Sequence, residues 1–222
     1  MKWLPLLLLA LLVGCSSAPK KESAISPEVE ARVQAWQSLI DEGKSWSDQR
    51  RLKAANDFVN QLVFVDDIQH WKQEDYWATP LESIVTGGGD CEDFSLAKFF
   101  TLTGMGMPED KLRLTYVKAL SINQAHMMVS YYPTKKATPL LLDNLNTRVL
   151  PASERDDLWP VYSFNGQGLW LTKRDHQADR LDDAERISLW QQLLKRIDVE
   201  AADRQTMICP HLKPERVALE GK

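Results

Sequence analysis

The sequence predicts an α+β fold with an antiparallel sheet. Two amphipathic helical patterns and a strongly apolar helix fill residues 27–104, three strand patterns follow over residues 111–145, and a last helical stripe covers residues 182–201. The strands come in one run between helices rather than alternating with them, which favours an antiparallel sheet over parallel βαβ units. We therefore expect a central helix packed on an antiparallel sheet, with flanking N- and C-terminal helices.

Hydrophobic spacing predicts the two N-terminal helices. The first begins at Pro27, with Ser26 as its N-cap and Gly43 as its stop, and the second runs from Ser47 to about Phe64. Apolar residues recur every three or four positions, which places them on one face of each helix. The inward residues are Val29, Val33, Trp36 and Ile40 in the first helix, and Leu52, Ala55, Phe58 and Leu62 in the second.

A third helix, predicted from Asp90 to Gly104, is apolar most of the way round. Such a helix has no polar face for water, so we expect it at the centre of the domain. Asp90 is a suitable N-cap, and Asp93 stands three residues later, as in a variant of the capping box. Gly104 can end the helix.

The strand patterns cover residues 111–120, 126–132 and 140–145. The loop between the last two is centred on Lys136, so a symmetrical hairpin would place His126 opposite Asn146. A small asymmetry in that loop would bring His126 beside Asp143. The final helix, over residues 182–201, carries one apolar stripe formed by Ile187, Trp190, Leu194 and Ile197.

Composition excludes several classes of protein. With 44% hydrophobic and 26% charged residues, the 222-residue chain can bury a core and is not of the disordered type. Gly 10, Pro 11 and Cys 3 do not fit a collagen-like chain or a disulfide scaffold. A net charge of -4 gives no electrostatic reason to expect a nucleic-acid partner.

The first residues predict export and a lipid anchor. Residues 1–14 carry one basic residue and a short apolar run, as in a signal peptide, and the run ends in Gly14-Cys15. This ending resembles the lipobox of bacterial lipoproteins, which implies cleavage before Cys15, lipid on that cysteine, and placement in the periplasm at the outer membrane. A plain secretory signal is the alternative. We expect residues 15–26 to be a tether, 27–205 the catalytic domain and 206–222 a C-terminal tail.

The segment Gly87–Phe94, GGGDCEDF, carries the strongest chemical signal. It places Cys91 in the first turn of the central helix, where the partial positive charge of the helix terminus stabilises a thiolate. The unpaired amides of the same turn can stabilise an oxyanion. A small buried structural cysteine is the alternative, and the glycines and a histidine downstream favour a nucleophile.

His126 is the histidine best placed to act as its general base, because it begins an apolar strand. A buried strand histidine with a structural partner is an equally good explanation of that residue alone. Asp143 lies in the run LLLDNL, where an unpaired carboxylate would be costly, so a partner is expected for it. Asn144 is a weaker candidate for the group that orients His126.

Residues 60–145 resemble the bacterial transglutaminase-like cysteine peptidases, and most closely the LapG-type periplasmic proteases. The matching stretches are DYWATPLE (75–82), GGGDCEDFSLAKFF (87–100), LRLTYVKAL (112–120), AHM (125–127) and LDNL (142–145).

The resemblance implies a papain/transglutaminase-like fold and proteolysis by a Cys91–His126–Asp143 triad. It also implies a Ca²⁺ site that uses Asp90 and Glu92. The implied substrate is the N-terminal region of a large surface adhesin, cut near paired alanines to release cells from a biofilm. An inner-membrane LapD-type receptor that responds to cyclic di-GMP is the implied regulator.

The residues alone leave several alternatives open. The acids around Cys91 are also good helix caps, and without the resemblance capping is the better explanation. The same triad could transfer an acyl group to an amine, or the chain could be a catalytically silent lipoprotein that binds a partner through Trp71 and Trp77, which could equally be core residues. Cys209 is expected to be a free thiol.

Overall fold

The computed structural model describes residues 26–172, 178–182 and 187–208, with side chains described for 26–172 and 187–202. The predicted signal peptide, Cys15 and the tether up to residue 25 lie outside these ranges, as does Cys209. Among the described helices, none is both long and apolar enough to cross a membrane.

The elements follow the predicted order of helices, sheet and helix. The helices are α1 (Pro27–Gly43), α2 (Asp48–Val59), α3 (Asp67–His70), α4 (Pro80–Thr86), α5 (Cys91–Gly104) and α6 (Ser188–Ile208). The strands are β1 (Val63–Phe64), β2 (Gly88–Gly89), β3 (Leu112–Ala119), β4 (Gln124–Tyr131), β5 (Leu140–Leu142), β6 (Leu150–Pro151), β7 (Leu158–Asn165), β8 (Gly168–Thr172) and β9 (Ala178–Asp182).

The main sheet has seven described strands in the order β6-β5-β4-β3-β7-β8-β9, all antiparallel. The three strands predicted from the sequence are β3, β4 and β5. The α+β class is confirmed, and the sheet is wider than predicted because β7, β8 and β9 extend it beyond β3.

Helix α5 lies at the centre of the domain, as its all-round apolarity predicts. One face packs on the sheet, where Leu96 and Phe99 share a buried cluster with Leu114 and Met127. The opposite face packs on the N-terminal helices; there Phe94 and Ala97 join a second cluster with Trp36, Val59 and Ile84. The start of α5 is therefore held between two layers.

The N-terminal helices begin where their caps predict. The Ser26 hydroxyl accepts a hydrogen bond from the Val29 amide at 3.3 Å, and the Ser47 hydroxyl accepts one from the Arg50 amide at 3.4 Å. The second helix ends at Val59 rather than Phe64. Val63 and Phe64 instead form β1, a short parallel partner of β2.

The C-terminal helix is displaced from its predicted bounds. It begins at Ser188 rather than Asp182, because Asp182 is the last residue of β9, and it continues to Ile208, into the predicted tail. Its predicted apolar stripe is present: Trp190 is buried, and Ile187, Leu194 and Ile197 pack against the same core.

Candidate active site

Cys91 is the first residue of α5, directly after the glycine strand β2. Asp90 is the N-cap, and its carboxylate accepts hydrogen bonds from the amides of Glu92 at 3.1 Å and Asp93 at 3.4 Å. A side chain on Gly89 would collide with the Asp93 carboxylate. The glycine thus lets the chain pass close to the helix start and present Cys91 beside the sheet.

The Cys91 thiol lies between a carboxylate and a strand. It donates a hydrogen bond to Glu92 Oε2, with 2.6 Å between sulfur and oxygen, and the Tyr116 hydroxyl donates to Glu92 Oε1 at 2.9 Å. Burial, and then the charge of Glu92, raises the pKa of Cys91 well above its usual range, although a hydrogen bond from the Met127 amide opposes the shift. Burial, together with the carboxylates, therefore outweighs the thiolate-stabilising effect expected from the helix terminus, and the thiol stays protonated.

His126 lies on β4, immediately before Met127, and is 2% exposed. Its Nε2 is 2.7 Å from Asp143 Oδ1. Strand pairing places Val129 opposite Leu142. If this register continued, His126 would lie opposite Leu145, which is one residue from Asn146, the partner predicted for a symmetrical hairpin. Strand β5 ends at Leu142, however, and the Asp143 side chain reaches His126 from there.

Both side-chain oxygens and the backbone carbonyl of Asp143 accept hydrogen bonds. Oδ1 also accepts a hydrogen bond from the Leu145 amide at 3.0 Å, Oδ2 accepts one from Arg155 Nη2 at 2.7 Å, and its carbonyl accepts one from Asn60 Nδ2 at 3.0 Å. Burial would raise the pKa of Asp143, but the bonds from His126, Arg155 and Leu145 outweigh it and hold that pKa far below its ordinary value. An ionised carboxylate only accepts, so His126 Nε2 carries the proton of the shared hydrogen bond.

Asn144, the weaker candidate, makes no described contact with His126, and its Oδ1 is buried without a hydrogen-bond partner. His70 bonds Thr86 Oγ1 at 2.9 Å and packs on Trp71. His176 and His211 lie outside the described residues. Arg155 was not predicted, because it stands in the charged run ERDD, which resembles any exposed loop.

A group of carboxylates surrounds the start of α5. The nearest side-chain oxygens of Asp67, Asp90 and Asp93 lie within 4.8 Å of one another, and ligand atoms of Asp90, Cys91 and Glu92 form a second group of the same size. Burial, and then the charges of its acidic neighbours, raises the pKa of Asp90 to about 9. Asp67 Oδ1 is buried with no hydrogen-bond partner among the described residues. This crowding favours a bound cation.

The capping contacts between Asp90 and Asp93 are present, because the Asp93 amide donates to Asp90 Oδ1, and burial raises the pKa of the Asp93 carboxyl while the Asp90 amide lowers it. Asp93 also has partners outside the helix. Its carboxylate accepts hydrogen bonds from Trp71 Nε1 at 3.0 Å and from the Ala78 amide at 2.8 Å. It therefore ties the segment before α4 to the start of α5. The two tryptophans suggested for a groove have packing roles: Trp77 is 2% exposed and stacks on Phe164, while Trp71 packs between His70 and Tyr76.

Residues 75–82 (DYWATPLE) are held in place partly by the C-terminal helix α6. Thr79 and Glu82 form a reciprocal capping box at the start of α4. Arg196, on α6, donates hydrogen bonds to the Tyr76 hydroxyl, the Trp77 carbonyl and Glu82 Oε2, the last at 2.9 Å. We call this set of contacts the α6 clasp. It fixes the chain that leads to the nucleophile.

Comparison with known proteins agrees with this geometry. Residues 27–176 match the family model described as bacterial transglutaminase-like cysteine proteinase. The chain belongs to this family. It is therefore a cysteine peptidase with the transglutaminase-like fold.

Solved structures of Legionella pneumophila LapG are similar over most of both chains. LapG and its EGTA-treated form are each 44% identical, cover 77% of this chain and 90% of their own, and give a TM-score of 0.69. The calcium-bound form is also 44% identical, covers 78% of this chain and 92% of its own, and gives the same TM-score. No curated protein sequence matches the chain.

Proposed function

We propose that this protein is a calcium-dependent periplasmic endopeptidase that cleaves the N-terminal region of a large surface adhesin, near paired alanines. Cleavage would release the adhesin and disperse a biofilm. The observation that carries the proposal is the buried His126–Asp143 pair on the sheet, adjoining the Cys91 thiol through the Met127 amide, in a member of a cysteine proteinase family similar to LapG.

In the proposed mechanism each of the three residues has a role. Since Nε2 of His126 is bound to Asp143, Nδ1 is the nitrogen left to take the proton of the Cys91 thiol, and in this proposal it would do so. The thiolate sulfur then bonds to the scissile carbonyl carbon, and the amide at the start of α5 stabilises the oxyanion. His126 returns its proton to the leaving amine, and a thioester remains on Cys91. His126 next takes a proton from water, which attacks the thioester, and the carboxylic acid and free thiol are released.

The carboxylates at the start of α5 fit a calcium ion. Ca²⁺ binds six to eight oxygens, mostly from carboxylates and carbonyls. Asp90 and Glu92, the residues that the resemblance implied, flank Cys91, and the unpartnered Oδ1 of Asp67 would be a further ligand. LapG of Legionella has been solved calcium-bound and EGTA-treated. A bound cation would offset the charge that the carboxylates place around the thiol and so would favour the thiolate.

The proposal extends to the cell envelope. Cleavage of the leader before Cys15 and lipidation of that residue would hold the protease at the outer membrane, where a surface adhesin is within reach of a short tether. A LapD-type inner-membrane receptor would sequester it when cyclic di-GMP is high. Both ideas rest on the sequence of the leader and on the likeness to LapG.

A cleavage assay tests the proposal. Residues 16–222 are mixed with the N-terminal region of a large surface adhesin from the same cell, with CaCl₂ or with EGTA, and Cys91→Ala serves as the control. We expect cleavage by the wild type with calcium alone. If folded protein with a reactive Cys91 thiol leaves the adhesin intact in every condition, adhesin proteolysis is wrong. Incorporation of an amine donor into a protein acceptor would then identify an acyltransferase, and no turnover at all would indicate a binding module.

A further inference from the structure

We propose that Arg155 is the positioning residue of this site: its guanidinium fixes the Asp143 carboxylate in the orientation that holds the ring of His126. This inference rests on the proposed function for its catalytic meaning, although the arrangement can be tested without a substrate. Arg155 lies within the residues 27–176 that match the family model, beyond the closely matching stretches of residues 75–145, and it follows the one-turn helix of residues 152–154.

The two oxygens of Asp143 have separate tasks. Oδ1 faces His126 and the Leu145 amide, whereas Oδ2 faces Arg155 Nη2 at 2.7 Å. The side chains of Arg155 and Asp143 are 2% and 0% exposed, so water does not compete for the contact. Rotating the carboxylate would break the Arg155 bond, and this restricts Oδ1 to the position that receives the Nε2 proton of His126.

Arg155 is itself held in place by the Asp157 carboxylate and by the backbone of Ala152. Its Nε donates to Asp157 Oδ1 and its Nη2 to Asp157 Oδ2, both at 2.9 Å, and its amide bonds the Ala152 carbonyl at 3.2 Å. Asp157 is 43% exposed and so connects the buried pair to the surface. A chain of contacts thus runs from Asp157 through Arg155 and Asp143 to His126. A planar guanidinium can bridge two carboxylates in this way because its N–H donors point in fixed directions, whereas an ammonium group lacks this planar set of donors.

Among the described residues, Lys98 also interacts electrostatically with Asp143, but it does not replace Arg155. It is 1% exposed on α5, and burial lowers its pKa to about 7. Near neutral pH part of the Lys98 population is uncharged, while a guanidinium keeps its charge. No hydrogen bond between Lys98 and Asp143 is described. The permanent and directional contact is that of Arg155.

Two substitutions separate positioning from folding. Arg155→Met keeps much of the side-chain length but removes charge and donors, and Arg155→Lys keeps the charge without the fork. Arg148→Met is the matched control, because Arg148 is exposed on the same side of the domain and lines the same surface cleft of about 570 Å³ as Arg155 and Asp157. All variants are made as residues 16–222 and compared with calcium present, and folding is checked by thermal unfolding.

The first readout is the ¹⁵N spectrum of the His126 ring. We expect the wild type to show one tautomer with the proton on Nε2, Arg155→Met to show a mixture of tautomers, and Arg155→Lys to lie between them. If the folded Arg155→Met protein keeps the wild-type ring spectrum, the inference is wrong. Should Arg155→Met fail to fold, Arg155→Lys decides: a ring spectrum identical to wild type overturns the proposal.

The second readout is cleavage of the adhesin N-terminal region. We expect Arg155→Met to lower kcat by about 10- to 100-fold, the range typical of residues that orient a functional group through a hydrogen bond, with KM within about twofold of wild type. Arg155→Lys should recover part of kcat, and Arg148→Met should be unchanged. An unchanged kcat in folded Arg155→Met would contradict the role. If even the wild type does not cleave, the proposed function fails while the ring spectrum still decides the role of Arg155.

Discussion

The thiol of Cys91 donates its hydrogen to the carboxylate of the next residue, Glu92, across 2.6 Å. The same carboxylate accepts the Tyr116 hydroxyl and so is held against the sulfur. A carboxylate in this place stabilises the protonated thiol and opposes the thiolate that a cysteine peptidase needs. Glu92 is also one of the proposed calcium ligands, so its position connects the state of the nucleophile to the cation.

Removing the charge of Glu92 should free the thiol. In Glu92→Gln, with EGTA present, we expect alkylation of Cys91 by iodoacetamide at pH 8 to be about tenfold faster than in wild type, because a lower pKa gives more thiolate. Calcium should no longer accelerate the reaction. Glu74→Gln, at an exposed position before the site, is the control. Slower alkylation in Glu92→Gln than in wild type would contradict this account.

Replacing Asp67 should weaken calcium binding. One of its oxygens accepts the Tyr76 amide at 2.6 Å, while Oδ1 is buried without a partner beside Asp90. We expect Asp67→Asn to lower calcium affinity by about tenfold or more, measured by calorimetry and by the rise in Tm on adding CaCl₂. The neighbouring Asp66 is exposed and makes no capping bond, so Asp66→Asn should behave as wild type. Equal calcium affinity in both variants would remove Asp67 from the ligand set.

Lys98 should make stability depend on pH. Burial lowers its pKa to about 7, against an ordinary value near 10.5, so between these limits the unfolded chain binds more protons and stability through this group rises with pH. Below pH 7 Lys98 is protonated in both the folded and the unfolded state, so the folded state is destabilised by the full free-energy cost of burying an ammonium group. Lys98→Met should therefore raise the free energy of unfolding more at pH 6 than at pH 9, by about 2 kcal/mol. Urea unfolding at both pH values measures this, with the exposed Lys118→Met as control. A gain independent of pH would show that Lys98 is not titrated in this way.

Breaking the α6 clasp should loosen the segment before the nucleophile. Arg196→Met removes the donors to Tyr76, Trp77 and Glu82, and we expect a loss of about 1–3 kcal/mol in the free energy of unfolding. Faster amide hydrogen exchange over residues 75–82 should accompany it. Lys195→Met, one position away and exposed, is the matched control. Unchanged exchange over that segment in Arg196→Met would mean that the clasp is dispensable.

Local patterns were enough to predict the helix that carries Cys91. Its glycines, acidic cap and apolar sequence act within one short segment, and the structure shows a buried helix that begins at that residue. The sequence predicts the position of Asp143 beside His126 only as one of several possible strand registers. The length and symmetry of the connecting loop set the register, and the alternation of apolar and polar residues does not reveal them. Asp143 reaches His126 from a residue just past the end of β5, which no strand pattern indicates.

Contacts between distant segments could not be predicted. Arg155 stands in a charged run that resembles solvent-exposed loops, yet it is 3% exposed, because Asp143 and Asp157 compensate its charge. Arg196 lies on the predicted C-terminal helix, but its partners are 120 and 114 positions away. The partners of such a polar side chain depend on how the layers pack, and hydrophobic periodicity carries no information on that.

The α6 clasp has a consequence for biosynthesis. The contact that holds the approach to Cys91 comes from a helix that follows the whole sheet in the sequence, since Arg196 on α6 donates hydrogen bonds to Tyr76 and Glu82. A nascent chain from which α6 has not yet emerged contains Cys91, His126 and Asp143 but lacks this support. The segment that approaches Cys91 therefore gains this support only after α6 has been made and has packed, so translation of the catalytic residues alone does not complete the active centre.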